Sequence, residues 1–222
     1  MHQKGGYLLV DGAQAVPHFK INVDDQDADF YAFSGHKMLG PSGIGVLYGK
    51  EDLLNRMDPI QYGGEMINVV DLYESSWGEI PLKFEAGTPN IVGAIGLSAS
   101  VDYLKNIGMN EISAREDALV QKAIEKLKEI NGLEIYGPKN PEKHHSLISF
   151  NLKNIHPHDL ASVLDLQGIE VRAGDHCAQP LMNFLGINGT VRASFAFYND
   201  QDDIDSLIEA IKGAKSFFAN GL

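Results

Sequence analysis

The sequence predicts an α/β chain in two parts: the remaining part of a larger, mainly parallel α/β sheet, then a smaller α+β unit. Three observations lead there. The first fifty residues hold continuous apolar runs ending in turn residues, "GYLLVDGAQ" (6–14), "DFYAFSG" (29–35) and "GIGVLYG" (43–49), the pattern of strands buried on both faces. Residues 89–132 read as helix almost throughout. After 133, strand-like runs alternate with helical ones.

In order, 6–14 and 29–35 predict buried parallel strands, and the glycines of 43–49 allow close backbone approach in a third. "EDLLNRM" (51–57) predicts a short helix. Residues 58–90 carry Gly63, Gly64, Gly78, Pro81, Gly87 and Pro89 with little periodicity, which predicts a long functional loop. "PNIVGAIGLSASVDYLKNIG" (89–108) has Pro-Asn at its start and Gly108 as its stop, so a helix is expected. In 109–132, Ile112, Leu119, Ile124, Leu127 and Ile130 recur near helical spacing and Gly132 ends the run, a second helix. "LEIYG" (133–137) and "HSLISFNL" (145–152) predict strands. "HPHDLASVLDLQG" (156–168) predicts a helix capped by Asp159 or a neighbour. "IEVRAG" (169–174) and "GTVRASFAFYN" (189–199) predict strands, and 200–220 a closing helix with acids in its first turn, as the helix dipole favours. Three parallel strands alone would make a poor, edge-exposed sheet. The chain therefore reads as a fragment, with 1–106 the remaining part of a large domain and 107–222 a small C-terminal domain.

Bulk properties narrow the function. The chain has 222 residues, 44% hydrophobic and 22% charged, ordinary for a soluble globular protein. A net charge of -12 argues against nucleic acid, whose phosphates need a basic footprint. No apolar run reaches the roughly 18 residues of a membrane helix, and the start shows no secretory signal, so no membrane partner and a cytoplasmic location are expected. One cysteine, Cys177, excludes an intrachain disulfide and a cysteine-cluster zinc site.

The chemistry-bearing residues gather at strand ends. Asp11 stands at the carboxyl end of the first strand with Gln14 just beyond, and Ser34, His36 and Lys37 at the carboxyl end of the second. Ligands of parallel α/β sheets bind outside those ends. A phosphate could take donors from Ser34, His36 and nearby amides. A carboxylate could hold a protonated ring nitrogen, and an amine could form a Schiff base. That set suits pyridoxal phosphate. Other signals are weaker. "DDQDADFYAF" resembles a calcium loop but lacks its glycine and closing glutamate. His144 and His145 read as a surface pair. Met66, Tyr73 and Trp77 suit dimer packing as well as an active-site wall.

"VDGAQAVPH", "DFYAFSGHKMLGPSGIGVLYG", "FEAGTPN" and "VRAGDHCAQPLM" together resemble the SufS-type cysteine desulfurases, in the class V aminotransferase-like family of pyridoxal phosphate enzymes. The resemblance implies the C-terminal part of a fold type I chain. It implies that Lys37 binds the cofactor aldehyde, Asp11 pairs with the pyridinium nitrogen, Gln14 hydrogen-bonds the phenolic oxygen, and Ser34 and His36 bind the phosphate. Thr88 would reach the phosphate in the other subunit of a homodimer. Arg192 would clamp the carboxylate of L-cysteine, a bidentate task that suits a guanidinium, with Arg172 supporting the cysteine loop. Cys177 would be the nucleophile that takes the sulfur as a persulfide, for delivery to a sulfur-acceptor or scaffold protein of the Suf type in iron–sulfur cluster assembly. His158 lies in the stretch expected near that acceptor. Arg172 and His176 are the neighbours expected to favour a thiolate.

The loop departs from the family's usual Gly-His-His-Cys: Asp175 replaces the first histidine. An inward carboxylate would raise the thiol pKa, whereas an outward one would serve as a turn residue. The family's ring-stacking histidine and further phosphate donors precede the matching region, so this chain alone is expected to be weakly active or inactive. The alternatives are a selenocysteine lyase or cysteine sulfinate desulfinase, or a cofactor-free remnant that dimerises or binds an acceptor.

Overall fold

A computed structural model describes residues 1–219. The chain divides into two compact units, Met1–Met109 and Asn110–Leu222.

In the first unit, β1 (Leu9–Asp11), β2 (Phe30–Ser34) and β3 (Gly45–Gly49) form one sheet in that order. β1 runs parallel to β2 with Asp11 opposite Ala32, so both carboxyl ends reach the same edge. β3 pairs antiparallel to β2, with Ser34 opposite Gly45, which corrects the expectation of three parallel strands. The connection between them is a 3-10 turn, Gly35–Met38, and a short return; a parallel crossover needs a dozen or more residues. β1 is also shorter than its apolar run. The chain leaves the strand where Ala13 N–H donates to Asp11 Oδ1 at 3.0 Å and Gly12 N–H to Ala32 O at 2.8 Å. Leu9 is 61% exposed rather than buried.

The expected long loop contains structure. After α1 (Glu51–Arg56), β4 (Ile67–Val70) and β5 (Ser75–Trp77) pair as an antiparallel hairpin, closed by Asp71 N–H to Glu74 O at 2.8 Å. Met66 is fully buried at its base, while Tyr73 at the tip is 96% exposed. Trp77 packs beside Tyr62, ring centroids 5.1 Å apart. α2 (Ile91–Ile107) begins at Asn90, whose Oδ1 accepts from Gly93 N–H at 2.9 Å.

The second unit is an antiparallel sheet in the order β6 (Leu133–Tyr136), β7 (Leu147–Leu152), β9 (Thr190–Ser194), β8 (Arg172–Gly174). Alternation along its strands is clean. Ile148, Phe150, Leu152, Val191 and Ala193 enter one core with α3 (Met109–Lys128), α4 (Pro157–Asp165) and α6 (Gln201–Ala219). Ser149 and Arg192 stand on the opposite face, directly paired. Leu119, Ile124 and Leu127 of α3 and Ile204, Leu207 and Ile211 of α6 fill that core, as helical periodicity requires. α4 is capped by His156, whose Nδ1 accepts from His158 N–H at 3.3 Å, rather than by Asp159. α6 opens where Asp200 Oδ1 accepts from Asp202 and Asp203 N–H. Asn220, at the expected end of that helix, lies outside the described residues.

His144 is not a surface residue: it is 7% exposed and its Nε2 bonds Pro138 O at 2.7 Å. His145 Nδ1 meets Asp117 Oδ1 at 2.8 Å. A helix not anticipated, α5 (Gln179–Leu185), follows the cysteine, with proline in its first turn and Gly186 left-handed at its end.

Candidate functional site

The chemistry-bearing residues of the first unit share one edge. Asp11 closes β1, and the parallel pairing brings Ser34, at the end of β2, to the same side. His36 and Lys37 ride on the 3-10 turn directly after it. Asp11, Gln14, His36 and Lys37 are all exposed, and Ser34 is half-buried. They share an edge but do not touch: among the described residues, no hydrogen bond or ion pair joins Lys37 or His36 to Asp11.

Packing fixes the edge tightly. Gly12, next to Asp11, sits on the ring of Tyr31; a Cβ there would lie 2.1 Å from Tyr31 Cε1, Cζ and Oη. Tyr31 is 2% exposed. Burial pushes its phenol pKa upward, and the Asp11 carboxylate adds to the shift, as a nearby anion must. The lysine turn is seated on α2. Ser100 Oγ lies 3.0 Å from Leu39 O and 2.9 Å from Gly96 O, and a Cβ at Gly96 would meet Pro41 Cγ at 2.6 Å. Leu39, two residues after Lys37, is held left-handed at φ 64, uncommon for a branched side chain. Thr88 is exposed, two residues before Asn90, whose Nδ2 donates to Gly43 O at 3.1 Å. That bond ties the Thr88 segment to the turn after the lysine.

Sequence reasoning passed over Gly12, Gly96 and Ser100 and read Asn90 only as a helix start; all four position this edge. The signal was there: "GLSAS" (96–100) places two small residues four apart, Gly96 and Ser100, on one helix face.

The second unit carries the cysteine. β8 ends at Gly174, and Asp175, His176 and Cys177 form the loop into α5. Cys177 is exposed. Its backbone is left-handed at φ 60, and so is that of His176 at φ 54. Asp175 Oδ1 accepts from Cys177 N–H at 3.1 Å, and Asp175 O from Ala178 N–H at 2.9 Å. The departing residue of the motif is therefore a turn former with its carboxylate bonded to backbone.

His176 Nε2 lies 3.0 Å from Thr190 O and 2.9 Å from Thr190 Oγ1. A carbonyl only accepts, so Nε2 carries the proton and Nδ1 the lone pair. Nδ1 is buried without a partner among the described residues. Burial pushes the His176 pKa down, and the charge of Arg192 lowers it further, both favouring the neutral ring.

Arg172 and Arg192 stand directly opposite each other in the β8–β9 ladder, an unfavourable pairing of like charges. Burial lowers the Arg192 pKa and the Arg172 charge adds to it. Arg192 Nε is buried and unpartnered among the described residues. A cavity of about 570 Å³ opens beside Arg192 and His176, walled by Leu147, Leu181, Met182 and Leu185. Two guanidiniums on one face with spare donors suit a carboxylate. His158 lies elsewhere, in a cavity of about 440 Å³ with Asp175 and Asn188, its ring stacked on that of His156 at 5.6 Å. Among the described residues, no three His, Cys, Asp or Glu side chains cluster as a metal site, and no helix is long and apolar enough to cross a membrane.

Comparison with known proteins fits this geometry. A family model for class-V aminotransferases matches residues 1–207. A probable cysteine desulfurase of Halalkalibacterium halodurans is 52% identical over 219 residues, 99% of this chain and 53% of its own length. The crystal structure of the cysteine desulfurase CsdA (S-sulfonic acid) from Escherichia coli superposes with TM-score 0.92 at 42% identity, covering 97% of this chain and 53% of that one. The apo cysteine desulfurase of Thermococcus onnurineus NA1 gives TM-score 0.91 at 45% identity, covering 96% and 54%. The chain thus spans about half the length of the relatives it matches.

Proposed function

The chain belongs to the class-V aminotransferase family, and on that premise we propose that it serves a pyridoxal-phosphate-dependent cysteine desulfurase reaction, taking L-cysteine to alanine with the sulfur left as a persulfide on Cys177. The observation that carries the reading is the edge where β1 and β2 end in parallel. It gathers the donor set that pyridoxal phosphate requires: an acid for the ring nitrogen, a hydroxyl and an imidazole for the phosphate, and an amine for the aldehyde. At Gly12 the space a Cβ would take is filled by the Tyr31 ring, which fixes the backbone beside Asp11. The residues present therefore fit the cofactor.

When bound, pyridoxal phosphate supplies an electron sink beside the substrate's Cα. The residues of the chain do the rest. Asp11 holds the ring nitrogen protonated, and Gln14 orients the ring through its phenolic oxygen. Ser34 and His36 anchor the phosphate. Lys37 would hold the cofactor's aldehyde, and its Nζ, when neutral, would take the substrate's Cα proton. Arg192, with Arg172 beside it, binds the substrate carboxylate in a bidentate fork. Cys177 Sγ attacks the substrate sulfur; an S–S bond forms, the C–S bond breaks, and its electron pair is taken up on carbon, which is protonated to alanine. Thr88 reaches the cofactor phosphate of a second subunit in a homodimer. The persulfide passes to a sulfur-acceptor or scaffold protein of the Suf type in the cytoplasm, supplying iron–sulfur cluster assembly, and His158 contacts that partner.

The test is mass spectrometry of the protein after incubation with pyridoxal phosphate and L-cysteine. For a chain expected to be weakly active by itself, the reading expects any added sulfur on the Cys177 peptide, alanine released in step with it, and cofactor absorbance unchanged in Cys177→Ala. Alanine formed with no sulfur on the Cys177 peptide, or formed equally by Cys177→Ala, would overturn it.

A further inference from the structure

We infer that Asp175 and His176 are positioning residues that clamp Cys177 in a left-handed backbone conformation and so fix the direction in which its thiol leaves the loop. The inference rests on the reading of Cys177 as the sulfur-taking residue and adds how this chain presents it.

Two consecutive non-glycine residues, His176 at φ 54 and Cys177 at φ 60, occupy the left-handed region. Such a conformation is unfavourable for each and persists only where the surroundings over-determine it. Here two independent anchors do so. Asp175 Oδ1 accepts from Cys177 N–H at 3.1 Å, which closes the turn from the front. His176 Nε2–H reaches Thr190 O at 3.0 Å and Thr190 Oγ1 at 2.9 Å, which pins the loop to β9 from behind. Thr190 is itself almost fully buried and is paired with Gly174 across the β8–β9 ladder. Gly174 O and Gly189 approach so closely that a Cβ at Gly189 would lie 2.9 Å from that oxygen. The loop is thus closed on itself by one bond and fastened to the β8–β9 pair by the other.

Chemistry explains why each residue type is needed. Asp175 works as an acceptor, so asparagine, which keeps an Oδ1, should serve and alanine should not. His176 works as a donor at Nε2, so glutamine, whose Nε2 also donates, should serve and leucine should not. Neither role calls for a charge. The exposed thiol is then held on a fixed stem rather than on a mobile loop, and attack on a bound sulfur requires such alignment.

Cys177 is the only cysteine, so protein labelled with ¹⁵N,¹³C-cysteine gives one backbone resonance, a direct readout of its conformation. In the parent, the Cα and Cβ shifts should be left-handed in character. In Asp175→Ala and His176→Leu they should move toward the averaged value of a mobile loop, with amide exchange faster by about tenfold for the lost bond in Asp175→Ala. Asp175→Asn and His176→Gln should keep parental shifts and exchange, a rescue that a space-filling role would not give. Asp175→Ala changes a loop side chain outside the core, so it decides the matter if His176→Leu fails to fold. Parental shifts and exchange in Asp175→Ala would overturn the inference, as would Asn or Gln variants that behave like Ala and Leu. The readout needs no turnover, so the desulfurase reading can fail while the clamp stands, and the reverse.

Discussion

Replacing Gly12 with alanine tests the geometry of the proposed cofactor edge most sharply. The added Cβ would stand 2.1 Å from three atoms of the Tyr31 ring, against an ordinary carbon contact of about 3.5–4.0 Å. The ring must retreat by more than an ångström, yet Tyr31 is 2% exposed and has no solvent to retreat into. Overpacking of this kind costs about 1–3 kcal/mol, and the lack of slack places Gly12→Ala near the top of that range. With a urea slope of about 1–3 kcal/mol/M, the unfolding midpoint should fall by roughly 1–3 M. Trp77 is the only tryptophan and lies in the same unit, so its fluorescence reports the transition. The double variant Gly12→Ala with Tyr31→Ala supplies the control. Removing the ring removes the clash, so the double should be no less stable than Tyr31→Ala alone, a coupling that distant sites do not show. A parental midpoint in Gly12→Ala would refute the packing and, with it, the fixed placement of Asp11.

Other outcomes follow from the same structure. Phe150→Ala opens the fully buried centre of the second unit and should cost about 3–5 kcal/mol, read by chemical denaturation followed by circular dichroism. Asp29 is held well below the usual carboxylate range, first by Leu8 N–H at 2.7 Å and then by His2, and Asp27 is lowered by its bond to Lys50. The unfolded chain binds more protons there, so their stabilisation is present above about pH 4, near the unfolded carboxylate value, and is lost as pH falls toward the depressed folded values. Lys50→Met should flatten part of that acid slope in a pH series of thermal melts; an unchanged slope would count against the network.

The long helices were legible because periodicity and caps agree. α2 has Asn90 at its start and Gly108 at its end, and α3 and α6 carry apolar stripes that meet in one core. The alternation of β7 was equally plain. What escaped was set by short connections and by tertiary contact. The direction of β3 depends on the tight Gly35–Ile44 return, not on its own apolar run. The β4–β5 hairpin and the seven-residue α5 are too short for periodicity to register. His144 looks polar in sequence, yet it is buried against the Gly137–Pro138 backbone. At the candidate site, residue types at strand ends pointed to Asp11, Ser34, His36 and Lys37. The parts that hold them, Gly12 on Tyr31 and Ser100 beneath Leu39, are visible only in three dimensions. Asp175 could be read as charge or as turn former, and its bond to Cys177 N–H identifies the second.

The account stands on Lys37 as the amine that holds the cofactor. The direct measurement is to add pyridoxal phosphate to the protein, reduce with borohydride, digest, and locate the pyridoxyl group by mass spectrometry. The account predicts the group on the Lys37 peptide in preference to other lysines, with that label lost in Lys37→Ala and weakened in Asp11→Ala. Label scattered over exposed lysines without preference, and unchanged in total in Lys37→Ala, would contradict it.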